Sequence, residues 1–193
     1  MRQKRQLKED ATYHVTARIN RGQFIFNEAP MRTLFLDYIK KVKQKYPLAI
    51  YNFCIMGNHI HLVIRPDKDS SLSKIMQWLL GNYAKAWNKA HGVKGHLWGD
   101  RFFSKIVEGK SLLRAFMYVS ENPVMAGLVR RAEDWKAGGV YHHKKGKWGI
   151  LDIPFWLEVI YHAFVIGELI HPETQGLIQG LMDKIDSRVG TPI

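Results

Sequence analysis

Apolar and polar residues alternate over residues 11–20. Tyr13, Val15, Ala17 and Ile19 fall on one face, and His14, Thr16 and Arg18 on the other. Successive side chains of a strand point to opposite faces, so the stretch predicts a first strand with one buried side. Arg21-Gly22 interrupts it. Over 29–46 the period changes: Met31, Leu34, Phe35, Tyr38, Ile39 and Val42 recur at helical spacing, with lysines opposite, and Pro47 ends the run. Residues 48–56 are apolar and partly β-branched and predict a second strand. Gly57-Asn58 predicts a tight turn. Residues 59–65 then return antiparallel as a third strand. Ser71 is a cap for a second helix over 72–91, with Leu72, Ile75, Met76, Leu79, Leu80, Tyr83 and Trp87 on one stripe. Residues 101–108 alternate again, Phe103, Lys105 and Val107 against Phe102, Ser104 and Ile106, which predicts a fourth strand.

The order strand, helix, strand, strand, helix, strand is the split βαβ arrangement. It predicts an α+β, ferredoxin-like sandwich: a four-stranded antiparallel sheet with both helices on one face and the other face open. A third helix follows over 111–121. Leu112, Ala115, Phe116 and Val119 form its apolar stripe, while Ser111, Arg114, Tyr118 and Asn122 share a separate, mostly polar face. Asn122-Pro123 predicts the end of this helix, or a kink with Asn122 as cap and Pro123 at the first position of a new turn. A helix at this point of the chain can lie across the open sheet face.

Composition narrows the partner. The chain has 193 residues, 46% of them hydrophobic, enough for one domain with a sizeable core and an appendage. Its formal net charge of +12 favours an anionic partner, of which nucleic acid is the commonest. Cys54 is the one cysteine, so no internal disulfide can form, and a reducing cytoplasm fits. Residues 1–10 are charged, lack the apolar core of a signal peptide, and read as a basic arm ahead of a main domain over 11–135. Residues 136–149, with Gly138-Gly139 and His142-His143-Lys144-Lys145, read as a mobile basic loop in which Lys144 and Lys145 are candidates for single-strand DNA contact. Residues 150–193 read as a helical extension. Its most apolar window, 153–170, carries Glu158, His162 and Glu168 and so reads as an amphipathic helix, not a membrane span.

The candidate chemistry lies in Gly57-Asn58-His59-Ile60-His61-Leu62-Val63-Ile64. His59 and His61 share one side of the third strand, about 7 Å apart by the strand rise. Ile60, Leu62 and Ile64 point into the core, so the histidines look out on the open face. Two imidazoles there are either a hydrogen-bonded surface pair or two ligands of a divalent cation. If the third helix crosses the open face, Tyr118 and Asn122 arrive above them. A phenol is a weak nucleophile at neutral pH. A divalent cation on His59, His61 and Asn122 would offset the charge that grows on a phosphodiester under attack by Tyr118. His14, Arg18 and Arg101 are candidates for DNA contact on the open face, and Arg114 for the same role on the helix. Trp98 is a candidate for base stacking, with core packing as the competing role.

The arrangement resembles the HUH single-strand DNA transposases with one catalytic tyrosine, and within them the REP-associated tyrosine transposases, relatives of insertion-sequence transposases. The matching stretches are Tyr13-His14-Val15-Thr16, Met56 to Val63, Trp98-Gly99-Asp100-Arg101-Phe102, and Tyr118-Val119-Ser120-Glu121-Asn122-Pro123 onward to Val129. The resemblance implies Mg²⁺ or Mn²⁺, a 5′-phosphotyrosine intermediate and a free 3′-OH. It makes His59 and His61 the metal-binding pair, Tyr118 the nucleophile and Asn122 the third polar ligand. It implies single-stranded or hairpin-forming DNA as substrate, and a monomer or homodimer in which the tyrosine acts in its own or its partner's site. Relatives carry an arginine two residues after the proline, where this chain has Met125. Two other functions remain open on the residues: a non-catalytic nucleic-acid-binding module with an open sheet, and a metal phosphodiesterase that uses water.

Overall fold

The computed structural model describes residues 8–147, 149–154 and 157–158. Four strands, β1 (Tyr13–Arg18), β2 (Leu48–Ile55), β3 (His59–Pro66) and β4 (Phe103–Ile106), form one antiparallel sheet in the order β2-β3-β1-β4. Two helices, α1 (Ala29–Lys45) and α2 (Leu72–His91), pack together on one face, as the hydrophobic pattern predicts. The α+β fold is the expected ferredoxin-like one. The main core lies between this helical layer and the sheet, where Val15, Ile60, Leu62, Ile64, Phe35, Ile39, Ile75 and Leu79 are all completely buried. At one end Phe26, Phe35, Tyr83 and Trp98 pack as an aromatic cluster with ring centroids 5.0–6.3 Å apart.

Gly57 closes the hairpin between β2 and β3. A side chain there would strike the Phe24 ring and the Asn27 side chain, so the close approach, not a turn preference alone, requires glycine. α2 begins where expected, with Ser71 Oγ accepting from Lys74 N at 3.5 Å, and ends at Gly92 in the left-handed region.

The third helix, α3 (Gly109–Met125), crosses the opposite sheet face and lies mainly over β2 and β3. It is longer than its predicted span and runs through Asn122-Pro123 instead of stopping there. Pro123 gives up the bond to the Val119 carbonyl, and the helix closes within the next turn, where the Asn122 and Pro123 carbonyls accept from Ala126 N at 3.0 Å and Leu128 N at 2.9 Å. Asn122 therefore caps no new helix.

The basic stretch after residue 135 differs from the expected mobile loop. A short helix, α4 (Gly139–Lys144), packs on β2, and His142 and His143 are buried. The His142 ring lies 5.2 Å from Phe53. Gly138 and Gly139 are there for close packing: a Cβ on Gly139 would collide with the Asn52 side chain. Ile55 N donates to Ala137 O at 3.0 Å, so this segment covers the free edge of β2. Ile150 and Leu151 join the main core, and Asp152 accepts from Lys43 Nζ at 2.6 Å and Ile50 N at 3.0 Å. Residues 1–7 of the expected arm, and the two helices expected within 154–185 beyond Glu158, lie outside the described residues.

Candidate active site

On the face away from α1 and α2, the strand register sets Arg18 beside His59 and Thr16 beside His61, with Cys54 on the far side of His61. The rings of His59 and His61 lie 4.9 Å apart at 87°, closer than the backbone step between them, so they lean together. His59 Nδ1 is 2.8 Å from Asn58 Oδ1. An amide oxygen only accepts, so Nδ1 holds the proton and Nε2 keeps its lone pair. His61 Nδ1 lies 3.0 Å from His14 Nε2 and 3.2 Å from Thr16 Oγ1. Its Nε2 is buried and has no hydrogen-bond partner among the described residues.

Such an orphan is costly unless something binds it. Both histidines use Nδ1 within the protein, which is how metal-binding imidazoles are held by their surroundings. Among the described residues no group of three or more His, Cys, Asp or Glu is placed to hold a metal ion. A cation here would rest on two imidazoles and complete its shell with neutral or substrate oxygens. That donor set fits a divalent ion shared with a substrate. Burial first, then the neighbouring His59, His14 and Arg18, push the His61 pKa down to about 3. Burial also lowers His59, with Arg18 adding to it, and lowers His14, with Lys105 adding. The pair is neutral at pH 7, the form that can bind a metal.

α3 brings the rest. Its N-terminus is closed by Glu108 N donating to Ser111 Oγ at 2.9 Å. Leu112, Ala115, Phe116 and Val119 pack on Tyr51, Cys54, Met56 and Val63 in a second core. Tyr118, on the flank of that stripe, then meets His61 edge-on at 5.4 Å and His14 at 5.8 Å between ring centroids. It is 45% exposed, open to a large substrate. Asn122 follows one helical turn later and is buried.

One residue escaped the sequence pattern. Asn52 is completely buried in β2 and clasps α3: Nδ2 donates to Phe116 O at 3.0 Å and Ser120 Oγ at 2.8 Å, while Oδ1 accepts from Phe53 N at 2.8 Å. These contacts grip α3 two residues to either side of Tyr118. An asparagine inside an apolar strand was the available signal, since a buried amide must be satisfied.

Residues 8–122, from the start of the described chain to Asn122, match the family model described as "Transposase IS200 like". The chain belongs to this family. A Haemophilus influenzae protein provisionally named a REP-associated tyrosine transposase is 23% identical over 124 residues, 58% of this chain and 70% of that protein. A solved structure of a REP-associated tyrosine transposase bound to a REP hairpin superposes with a TM-score of 0.62 at 22% identity, covering 79% of this chain and 88% of the other. That likeness shows a shared fold.

The other candidate residues of this IS200-like transposase are spread more widely. His14 is engaged with His61 at the centre of the site. Arg18, Arg101 and Arg114 are exposed. Trp98 is spent on the core, where its Nε1–H donates to Leu80 O at 2.9 Å beside the aromatic cluster. Lys144 pairs with Glu133 at 2.6 Å, which Arg131 also reaches at 2.6 Å, and Lys145 is exposed. Among the described residues no helix is long and apolar enough to cross a membrane.

The histidines make stability depend on pH. In the unfolded chain they protonate near pH 6.5, but burial in the fold resists it for His14, His59, His61 and His142. The unfolded state thus binds more protons below about pH 6.5, so acid favours unfolding. Stability of the metal-free protein, measured by urea unfolding, should be level from about pH 7 to 8, above which the buried Cys54 thiol, pushed up to about 12, begins to favour the unfolded chain. It should fall by a few kcal/mol as pH drops from about 6.5 towards 4, His61 contributing most. A flat profile across that window would contradict the burial of these rings.

Proposed function

We propose that this transposase cuts and rejoins single-stranded DNA, hairpin-forming in its natural target, through a covalent link to Tyr118. The observation that carries the reading is the edge-on approach of the Tyr118 ring to His61, whose buried Nε2 has no partner. Tyr118 Oη attacks a backbone phosphorus. The new O–P bond forms as the P–O3′ bond breaks, the phenolic proton is lost to solvent, and the leaving 3′ oxygen takes up a proton. One strand end is then a 5′-phosphotyrosine and the other a 3′-OH. Attack by a 3′-OH on the phosphotyrosine reverses the step, so joining needs no nucleotide cofactor.

His59 and His61 would hold Mg²⁺ or Mn²⁺, with Asn122 as the proposed third ligand. When bound, such a cation draws charge from the non-bridging phosphate oxygens. The protein's own part is to keep both imidazoles neutral by burial, to orient them through Asn58, His14 and Thr16, and to hold the phenol beside them. Arg18, which pairs with His59 across the strands, would take a flanking phosphate. The hairpin preference is carried over from the relative described as bound to a REP hairpin.

The test is an end-labelled single strand carrying a hairpin, incubated with protein and Mn²⁺. A protein–DNA adduct that survives denaturation, and that EDTA prevents, is the expected result. A cut strand with no adduct would favour a phosphodiesterase using water. Binding with neither product would favour a non-catalytic module.

A further inference from the structure

α3 lies mainly over β2 and β3, and β4 forms the rim of the same sheet face. The register sets Phe103 beside Thr16 and Lys105 beside His14. Directly paired residues of antiparallel strands share a face, with Cβ atoms about 5 Å apart. Both side chains therefore rise on the face that carries His61, next to residues that touch it: Thr16 Oγ1 is 3.2 Å and His14 Nε2 3.0 Å from His61 Nδ1.

Phe103 is 63% exposed. Its neighbour Phe102 already fills the core position, at 7% exposure, so packing does not explain the second phenyl ring. A single exposed aromatic needs no explanation by itself; this one stands on the face that carries His61, beside a residue that touches it. Lys105 stands two residues away on the same face, about 7 Å along the strand. A flat apolar ring beside a cation matches the two parts of a nucleotide, base and phosphate. A hydrophobic protein partner fits less well, since Lys105 and Arg18 rise on the same face as the ring and the whole chain is strongly basic.

We propose that Phe103 and Lys105 form a nucleotide subsite at the rim of the active centre. The Phe103 ring stacks one unpaired base next to the scissile phosphate, and Lys105 holds the adjoining backbone phosphate. Stacking accepts any base, so the subsite selects for single-strandedness rather than sequence. It thereby discriminates against a fully paired strand at the point of cutting. The inference rests on the reading of Tyr118 as acting on single-stranded DNA.

The test is equilibrium binding in EDTA, so that no cutting intervenes, with two fluorescent probes: a short oligo(dT) strand and an abasic strand of equal length. Wild-type protein should prefer oligo(dT). Phe103→Ala should weaken oligo(dT) binding about tenfold, the usual loss for one stacked base, and leave abasic binding unchanged. Phe103→Trp should retain the preference, which excludes a folding defect as the cause. Lys105→Ala should weaken both probes equally and reduce the salt slope by about one. The proposal is overturned if Phe103→Ala weakens both probes alike or neither. An adduct assay that fails while the base preference persists would remove the covalent reading alone. An adduct without that preference would remove the subsite alone.

Discussion

Tyr118→Phe should abolish the covalent protein–DNA adduct while leaving the fold intact. The substitution deletes one hydroxyl from a side chain that is 45% exposed. The ring contacts with His61 and His14 remain available to phenylalanine. Stability should stay within about 0.5 kcal/mol of wild type, as for exposed substitutions generally. Strand cutting should fall by on the order of 10⁴-fold or more, because no other group on α3 replaces the lost nucleophile. A denaturing gel with labelled DNA reads the first effect, and urea unfolding reads the second. If the phenylalanine variant still becomes covalently labelled, the nucleophile lies elsewhere. If cutting persists without labelling, water is the attacking group.

Asn52→Ala should be among the most damaging single changes outside the reacting groups. The amide is fully buried and makes three hydrogen bonds, two of which join β2 to α3 while the third accepts from Phe53 N within β2. Alanine would strand Ser120 Oγ and release the Phe116 carbonyl contact in a dry interior. Each buried group left without its partner costs about 1–3 kcal/mol, so the total should be roughly 2–5 kcal/mol. Ser120→Ala removes one of the three bonds and should cost about 1 kcal/mol. Because the clasp brackets Tyr118, Asn52→Ala should also lower the adduct-forming rate of the protein that remains folded. Urea unfolding and single-turnover labelling, normalised to folded protein, separate the two effects. A variant within 0.5 kcal/mol of wild type would show that the α3 core stripe holds the helix without this amide.

The large elements were legible because their cause is local. Period-two runs at β1 and β3 and helical stripes at α1 and α2 each record one face turned to a common core. Their residues needed no distant partner to declare it. His59 and His61 were assigned to the open face by the same reasoning, since Ile60, Leu62 and Ile64 had to face inward. The helix bearing Tyr118 was visible for the same reason, but the end of α3 was misplaced. Pro123 costs the helix one backbone bond, and α3 continues only two residues past it.

Glycines and lone polar residues misled for a different reason: their meaning depends on what approaches them. Gly138-Gly139 looked like flexibility and is close packing against Asn52. Trp98, a candidate for base stacking for which core packing was the favoured role, joins the aromatic cluster. A register shift in β2 between Ile50 and Asn52 turns Tyr51 to the α3 side along with Asn52. Strict alternation would have placed them on opposite faces. The chain's own pattern thus determined a four-stranded sheet, a helical layer beneath it, and a histidine pair looking out from the other face. Tertiary structure alone decided that His14 and Thr16 hold His61, that Asn52 anchors the tyrosine helix, and that Phe103 stands uncovered at the rim. Periodicity records only whether a side chain faces in or out. Which groups meet is set by the register between strands and by the docking of α3, both products of contacts between residues far apart in the chain.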